Sequence, residues 1–238
     1  MTKNIILSII SFIISLGTGL CAINQGEPGK ICSNIPEQDT IKGRQILYNG
    51  MVWKNKYRWV DGDQFLFSEF FLPGTISINS KTFKNVRIKY DIFSDEIITP
   101  VNNQDILQLN KEMVDSFTVQ YEHKTYRFAN IRNDTLKGFT GYFNVLYKGR
   151  SSFCVKYQKS ISSFDTSKSE GQFIQAHKMF LVKDNVIYQI KNKKDLFTDL
   201  KANKEQIRNF IKKNKLRISS ESPESFIPVI RFYDSISQ

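Results

Sequence analysis

Between Gln45 and Ile190 short apolar segments alternate with period two, and the links between them are long enough only for hairpins. Val86, Ile88, Tyr90 and Ile92 alternate with Arg87, Lys89 and Asp91, which gives an extended strand one apolar face and one polar face. Phe117, Val119 and Tyr121 repeat the pattern, and Glu122-His123-Lys124 then turns the chain into Tyr126 and Phe128. The same strand-turn-strand chemistry recurs at Ile78-Asn79-Ser80-Lys81, at Tyr147-Lys148-Gly149-Arg150 and at Val182-Lys183-Asp184-Asn185-Val186. Parallel strands need crossovers of about a dozen residues or more, so links this short predict antiparallel pairing. The expectation is roughly ten strands in a meander or partly closed barrel. Gly138 to Lys148 is apolar on both faces, with Phe139, Phe143, Val145 and Tyr147 on one and Tyr142 and Leu146 on the other; it predicts a strand covered on both sides.

After Ile190 the period changes. Leu196, Phe197 and Leu200 predict a short helix. Asn203, three residues before Gln206, reads as the N-cap of a second helix whose apolar stripe is Ile207, Phe210 and Ile211 and whose left-handed terminator is Asn214. Ser222-Pro223-Glu224 opens a third helix through Phe226, Ile227, Ile230 and Tyr233. The fold class is therefore α+β, with an antiparallel β domain over residues 43–190 and a helical segment, residues 191–238, packed on it.

The N-terminal region is of another kind. Lys3, a twelve-residue apolar run from Ile5 to Leu16, and Gly17-Thr18-Gly19 before Cys21-Ala22 have the order of a secretory signal peptide over residues 1–22. The expected location is therefore outside the cytoplasm, periplasmic or attached to the outer membrane, with lipidation at Cys21 as one branch and simple cleavage as the other. Residues 23–42, rich in Gly, Pro, Asn, Ser and Gln, read as a spacer or weakly ordered lead-in. No later segment is long and apolar enough to span a bilayer as a helix.

Of the 238 residues 19 are Phe and 10 are Tyr, more aromatic surface than a disordered chain carries, and collagen, coiled-coil and multi-span classes do not fit. The 34 Lys and Arg against 23 Asp and Glu give a net charge of +11. Residues 191 to 217 hold ten Lys or Arg and three Asp or Glu, hence +7, so most of the excess lies near one end. Lys204, Arg208, Lys212 and Lys215 recur at helical spacing and form a basic stripe beside the apolar one. Such a stripe suits anionic lipid head groups, an acidic polysaccharide or an acidic protein, or it is simply a solvated helix face. Nucleic acid is not expected, given export and the absence of an interleaved aromatic binding motif.

Catalytic and metal chemistry find little to use. His123 and His177 have no His or Cys at ligand spacing, and Cys154 has no activating histidine near it in sequence. Asp61, Asp63 and Asp91 are the carboxylates a hydrolase would draw on, yet their strand-end positions fit turn chemistry. Asn133-Asp134-Thr135 matches a glycosylation sequon and reads more simply as a turn. In an oxidising compartment Cys32 and Cys154 are a candidate disulfide, and alternation along its strand sets Cys154 opposite Phe153 and Val155, on an accessible face. No cofactor motif is present. A β-rich binding or structural module of the envelope is the leading expectation; a carrier of an apolar ligand inside the curved sheet, and a hydrolase, follow.

Several blocks taken together look familiar: Leu47-Tyr48-Asn49-Gly50, Gly62 to Phe67 with Pro73-Gly74-Thr75, Val86 to Pro100, Asn144 to Gly149, Leu181 to Asp184, Phe210 to Leu216, and Arg231-Phe232-Tyr233-Asp234. In this order they resemble a group of uncharacterised exported proteins of Bacteroidota bacteria, from about Gly43 onward. The resemblance implies an envelope location and brings no activity with it.

Overall fold

The protein is described by a computed structural model over residues 45–101, 105–132, 139–163, 171–200 and 203–237. The expected signal peptide over residues 1–22, the expected spacer over residues 23–42, Cys32 and the Asn133 sequon lie outside these residues. All described residues belong to one unit, residues 37–238.

Among the described residues, eleven strands form a single antiparallel sheet: β1 (Gly50–Val52), β2 (Leu72–Ile78), β3 (Lys81–Asp91), β4 (Glu96–Pro100), β5 (Ile106–Leu109), β6 (Val114–Tyr121), β7 (Lys124–Ile131), β8 (Gly141–Lys148), β9 (Ser152–Ser163), β10 (Gly171–Lys183) and β11 (Val186–Ile190). The order across the sheet is β1-β5-β4-β3-β2-β6-β7-β8-β9-β10-β11. From β6 onward it is a plain meander, as the short links require. Asn79-Ser80, Glu122-His123 and Asp184-Asn185 all have positive φ at both central positions, the geometry that matches a two-residue link to the twist of its strands. The sheet stays open, but it curls enough for the Lys159 amide on β9 to donate to Ile92 O just beyond β3, at 3.1 Å.

The apolar face of β3 is as read, with Val86, Ile88, Tyr90 and Ile92 buried; on the other face Arg87 is exposed and Lys89 half-buried, but Asp91 departs from the expected polar face and is buried. The hollow of the curl is filled by aromatic rings. Phe117 and Phe128 stack at 4.6 Å with planes 6° apart, and Tyr90 meets them edge-on at 5.1 and 5.2 Å.

Both faces of β8 are covered, but not with the expected partition. Tyr142 belongs to the core inside the curl, and Phe143 and Val145 pack with Phe139, Cys154 and Phe180 on the other side. A register shift between Val145 and Tyr147 then breaks the alternation, so Leu146 and Tyr147 both lean on the helical side.

The helices are α1 (Lys193–Asp199), α2 (Lys204–Lys213) and α3 (Ile227–Ile236). Their apolar faces, Leu196, Ile207, Ile211, Val229 and Ile230 among them, form one cluster with Phe153, Val155, Met179 and Leu181 of β9 and β10. Three end signals fall elsewhere than expected. The reciprocal cap belongs to α1, where Asn192 accepts from the Lys194 and Asp195 amides and the Asp195 carboxylate accepts from the Asn192 amide. Asn203 makes no side-chain cap, because its amide group turns toward Ser237 Oγ at 3.4 Å. Pro223 opens a 3-10 turn, Pro223–Phe226, rather than α3 itself, and Ser222 does not cap it. Pro228 has no N–H to reach back to Glu224 O, so the backbone takes the tighter Ile227 N to Glu224 O bond first.

Candidate anion-binding groove

Helices α1 and α2 and the turn after α2 enclose an open groove of about 480 Å³, lined by Lys193, Phe197, Arg208, Ile211, Lys212, Lys215 and Leu216. Three of the four stripe residues thus meet in one depression, joined by Lys193 from the neighbouring helix. Lys204 opens α2 and is not part of the lining.

The turn after α2 explains why Lys215 and Leu216 point there. Leu216 N–H donates to Ile211 O at 3.0 Å and Lys215 N–H to Lys212 O at 3.2 Å, with Lys215 left-handed at φ 51°. This is a Schellman arrangement, whose apolar contact joins the third-last helical residue to the second residue beyond the cap. Here those residues are Ile211 and Leu216, and they form the groove floor. Asn214, the expected left-handed residue, has φ −92° and instead donates its side-chain amide to Phe210 O. The reversal sits one residue later, at Lys215, where Gly would cost less strain.

Charge and apolar surface meet at Phe197. Lys193 Nζ and Arg208 Cζ each lie 5.7 Å from its ring centroid, so two cations converge on one aromatic ring. Glu205 pairs with Arg208 at 2.9 Å, but both side chains are more than half exposed and the pair holds little energy. Lys212 stands near the carbonyl end of α2, where the helix dipole favours a cation. No such stability argument covers Lys193, which opens α1 at the amide end, where a cation is disfavoured. The groove can receive an anion carrying apolar substance: cations around the rim, Phe197, Ile211 and Leu216 below.

Other sequence candidates are committed to structure. Asp63 Oδ1 accepts from the Phe65 amide at 2.6 Å and from Lys159 Nζ at 3.2 Å. Asp91, 2% exposed, accepts from the amides of Phe93 and Ser94, and burial holds its carboxyl above the ordinary range. Asp61 is exposed and its backbone pairs with Gly171 and Phe173. His123 is exposed at the β6–β7 turn, and His177 Nε2 lies 2.8 Å from Ser220 O. Cys154 corrects an expectation: it is 4% exposed, because Phe139, Phe143 and Phe180 cover the face that alternation alone leaves open. Burial pushes its thiol up to about 12. Its proposed partner, Cys32, is outside the described residues.

Asp95, which in sequence groups only with the carboxylates Asp91 and Glu96 as a candidate set of oxygen ligands, is the centre of a polar cluster of a different kind. Asp95 accepts from Tyr90 Oη at 2.6 Å, Lys111 Nζ at 2.8 Å, Lys156 Nζ at 3.2 Å and the Tyr142 amide at 3.4 Å. It faces Gly141, φ 92°, where a Cβ would stand 1.9 Å from Asp95 Oδ2. The lysines come from distant parts of the chain, so no local pattern announces the cluster. With four donors the carboxylate is consumed in fastening the β3–β4 turn to β8 and β9. Among the described residues, no three His, Cys, Asp or Glu side chains gather as a metal set, and no helix is long and apolar enough to cross a membrane.

Comparison with protein-family models, curated proteins and solved structures returned no match.

Proposed function

We propose that the protein is a non-enzymatic, exported module of the bacterial envelope that holds anionic lipid head groups in the groove between α1 and α2. The observation that carries this reading is the convergence of Lys193 and Arg208 on Phe197, with Lys212 and Lys215 completing the rim. A free anion would be served by the cations alone, whereas the apolar floor adds the contact that a lipid backbone needs. Each basic residue near a charged membrane surface contributes about 1 kcal/mol. The pattern of residues 1–22 supports export, and the resemblance to exported Bacteroidota proteins points to the same compartment.

A carrier role inside the curved sheet is less well supported, since Tyr90, Phe117, Phe128 and Tyr142 occupy that interior. The hydrolase reading loses ground likewise, with Asp63 and Asp91 holding turns.

Co-sedimentation of the chain without residues 1–22 with phosphatidylglycerol vesicles tests the binding claim. Binding that weakens as salt rises, and is absent with phosphatidylcholine, is the expected result. Equal binding to both lipids removes the proposal. N-terminal sequencing of protein recovered from the native envelope tests export, which a chain still beginning at Met1 would contradict.

A further inference from the structure

The chain has two tryptophans, and both stand in one run: Trp53-Lys54-Asn55-Lys56-Tyr57-Arg58-Trp59. Exposure alternates along it. Trp53, Asn55 and Tyr57 are half-buried, whereas Lys54, Lys56 and Arg58 are exposed. The inward residues are seated on rings: Trp53 lies 6.0 Å from Phe65, and Tyr57 meets Phe93 at 4.9 Å and Phe173 at 6.0 Å, both edge-on. Tyr57 N–H donates to Asn55 Oδ1 at 3.0 Å and Val60 N–H to Tyr57 O at 3.1 Å, so the run is held in shape. Lys54, Lys56 and Arg58 give it three exposed cations, and the chain turns at Arg58 and Trp59, leaving Trp59 62% exposed. An indole left this bare forgoes the burial that normally places Trp inside.

We propose that Lys54, Lys56, Arg58 and Trp59 form a second binding site, for a linear acidic polysaccharide. Three exposed cations in one run match the repeated carboxylates of such a chain, and the open indole offers a flat apolar face to a sugar ring. Asp61, exposed two residues after Trp59, and the adjoining Gln172 are acceptors for sugar hydroxyls. A single-stranded nucleic acid would call for several open rings in succession, and in this run only Trp59 is open.

Because both tryptophans lie in the run, tryptophan emission, excited selectively over the ten tyrosines, reports on this run. The chain without residues 1–22 is titrated with polygalacturonate, with neutral dextran, with oligo-dT and with phosphatidylglycerol vesicles. A saturable emission change with polygalacturonate and none with dextran is expected. Substituting Lys54→Gln, Lys56→Gln and Arg58→Gln together should weaken it at least tenfold with an unchanged circular dichroism spectrum; Arg208→Gln with Lys212→Gln should leave it intact. The inference is overturned by no polygalacturonate response, by an equal dextran response, by tighter binding of oligo-dT or vesicles at this site, or by survival of the response in the triple variant. Survival of polygalacturonate binding in the groove variant separates this outcome from failure of the lipid reading.

Discussion

The rings of Phe210 and Phe232 stack at 4.1 Å with planes 3° apart, fastening α2 to α3. Phe210 belongs to the apolar stripe read from the sequence, yet it is half-buried and packs on a helix, while Ile207 and Ile211 face the shared core. The contact ties the helix that carries Arg208, Ile211 and Lys212 to α3. Phe210→Ala should lower stability by about 1 to 3 kcal/mol, less than for a fully buried Phe, and weaken vesicle binding as α2 loosens. Urea unfolding, with binding measured on the same variant, checks both.

Ile88 is wholly buried within the curl, beside Gly74 of β2. Ile88→Ala should cost about 2 to 5 kcal/mol, read as a lower denaturation midpoint. Arg87→Gln, one residue away on the other face, should move it little.

Glu96 sets an unusual pH dependence. Burial pushes its carboxyl up to about 7, aided by Asp95 and Asp91 and opposed by Lys111 and by a hydrogen bond with Gln108. An acid whose folded pKa is raised gives its full stabilisation below the unfolded value, near 4.5, and loses it as pH rises through 7. Solvent access reduces the loss to about 1 to 2 kcal/mol. Glu96→Gln should therefore be more stable than wild type above neutral pH, with the advantage vanishing near pH 4, as thermal melts across that range would show.

Cys154 should resist alkylation in the folded protein at about pH 8, since its thiol is buried and its pKa is pushed up to about 12. Peptide mass spectrometry after iodoacetamide treatment should find it modified only once guanidinium is added.

The fold was legible where a feature is local. Period two in β3 and paired turn residues such as Asn79-Ser80 depend on neighbours in sequence, and the order of a meander follows from link length. Helix ends were read less well. Asn203 and Asn192 are alike in sequence, but Asp195 holds the second in a cap, while Ser237, far along the chain, draws the first away. Cys154 failed for a related reason: alternation says which way a side chain points, not what lies there. Of the groove, the stripe of Arg208, Lys212 and Lys215 was visible at helical spacing; Lys193 and the Phe197 floor needed the packing of α1. The Trp53–Trp59 run is visible in sequence as interleaved basic and aromatic residues, but that Trp53 and Tyr57 are seated while Trp59 is open follows only from the packing on Phe65, Phe93 and Phe173.

The central claim is that the groove, rather than basic charge in general, meets the membrane. Its most direct measurement is vesicle affinity of a variant carrying Arg208→Gln, Lys212→Gln and Lys215→Gln, beside a control in which Lys54, Lys56 and Arg58 become Gln. Both remove three exposed cations, and neither should change the melting temperature appreciably. The groove variant should lose at least about tenfold in affinity for phosphatidylglycerol vesicles while the control stays within about twofold of wild type. Equal loss in the two variants, or no loss in the groove variant, would contradict that claim.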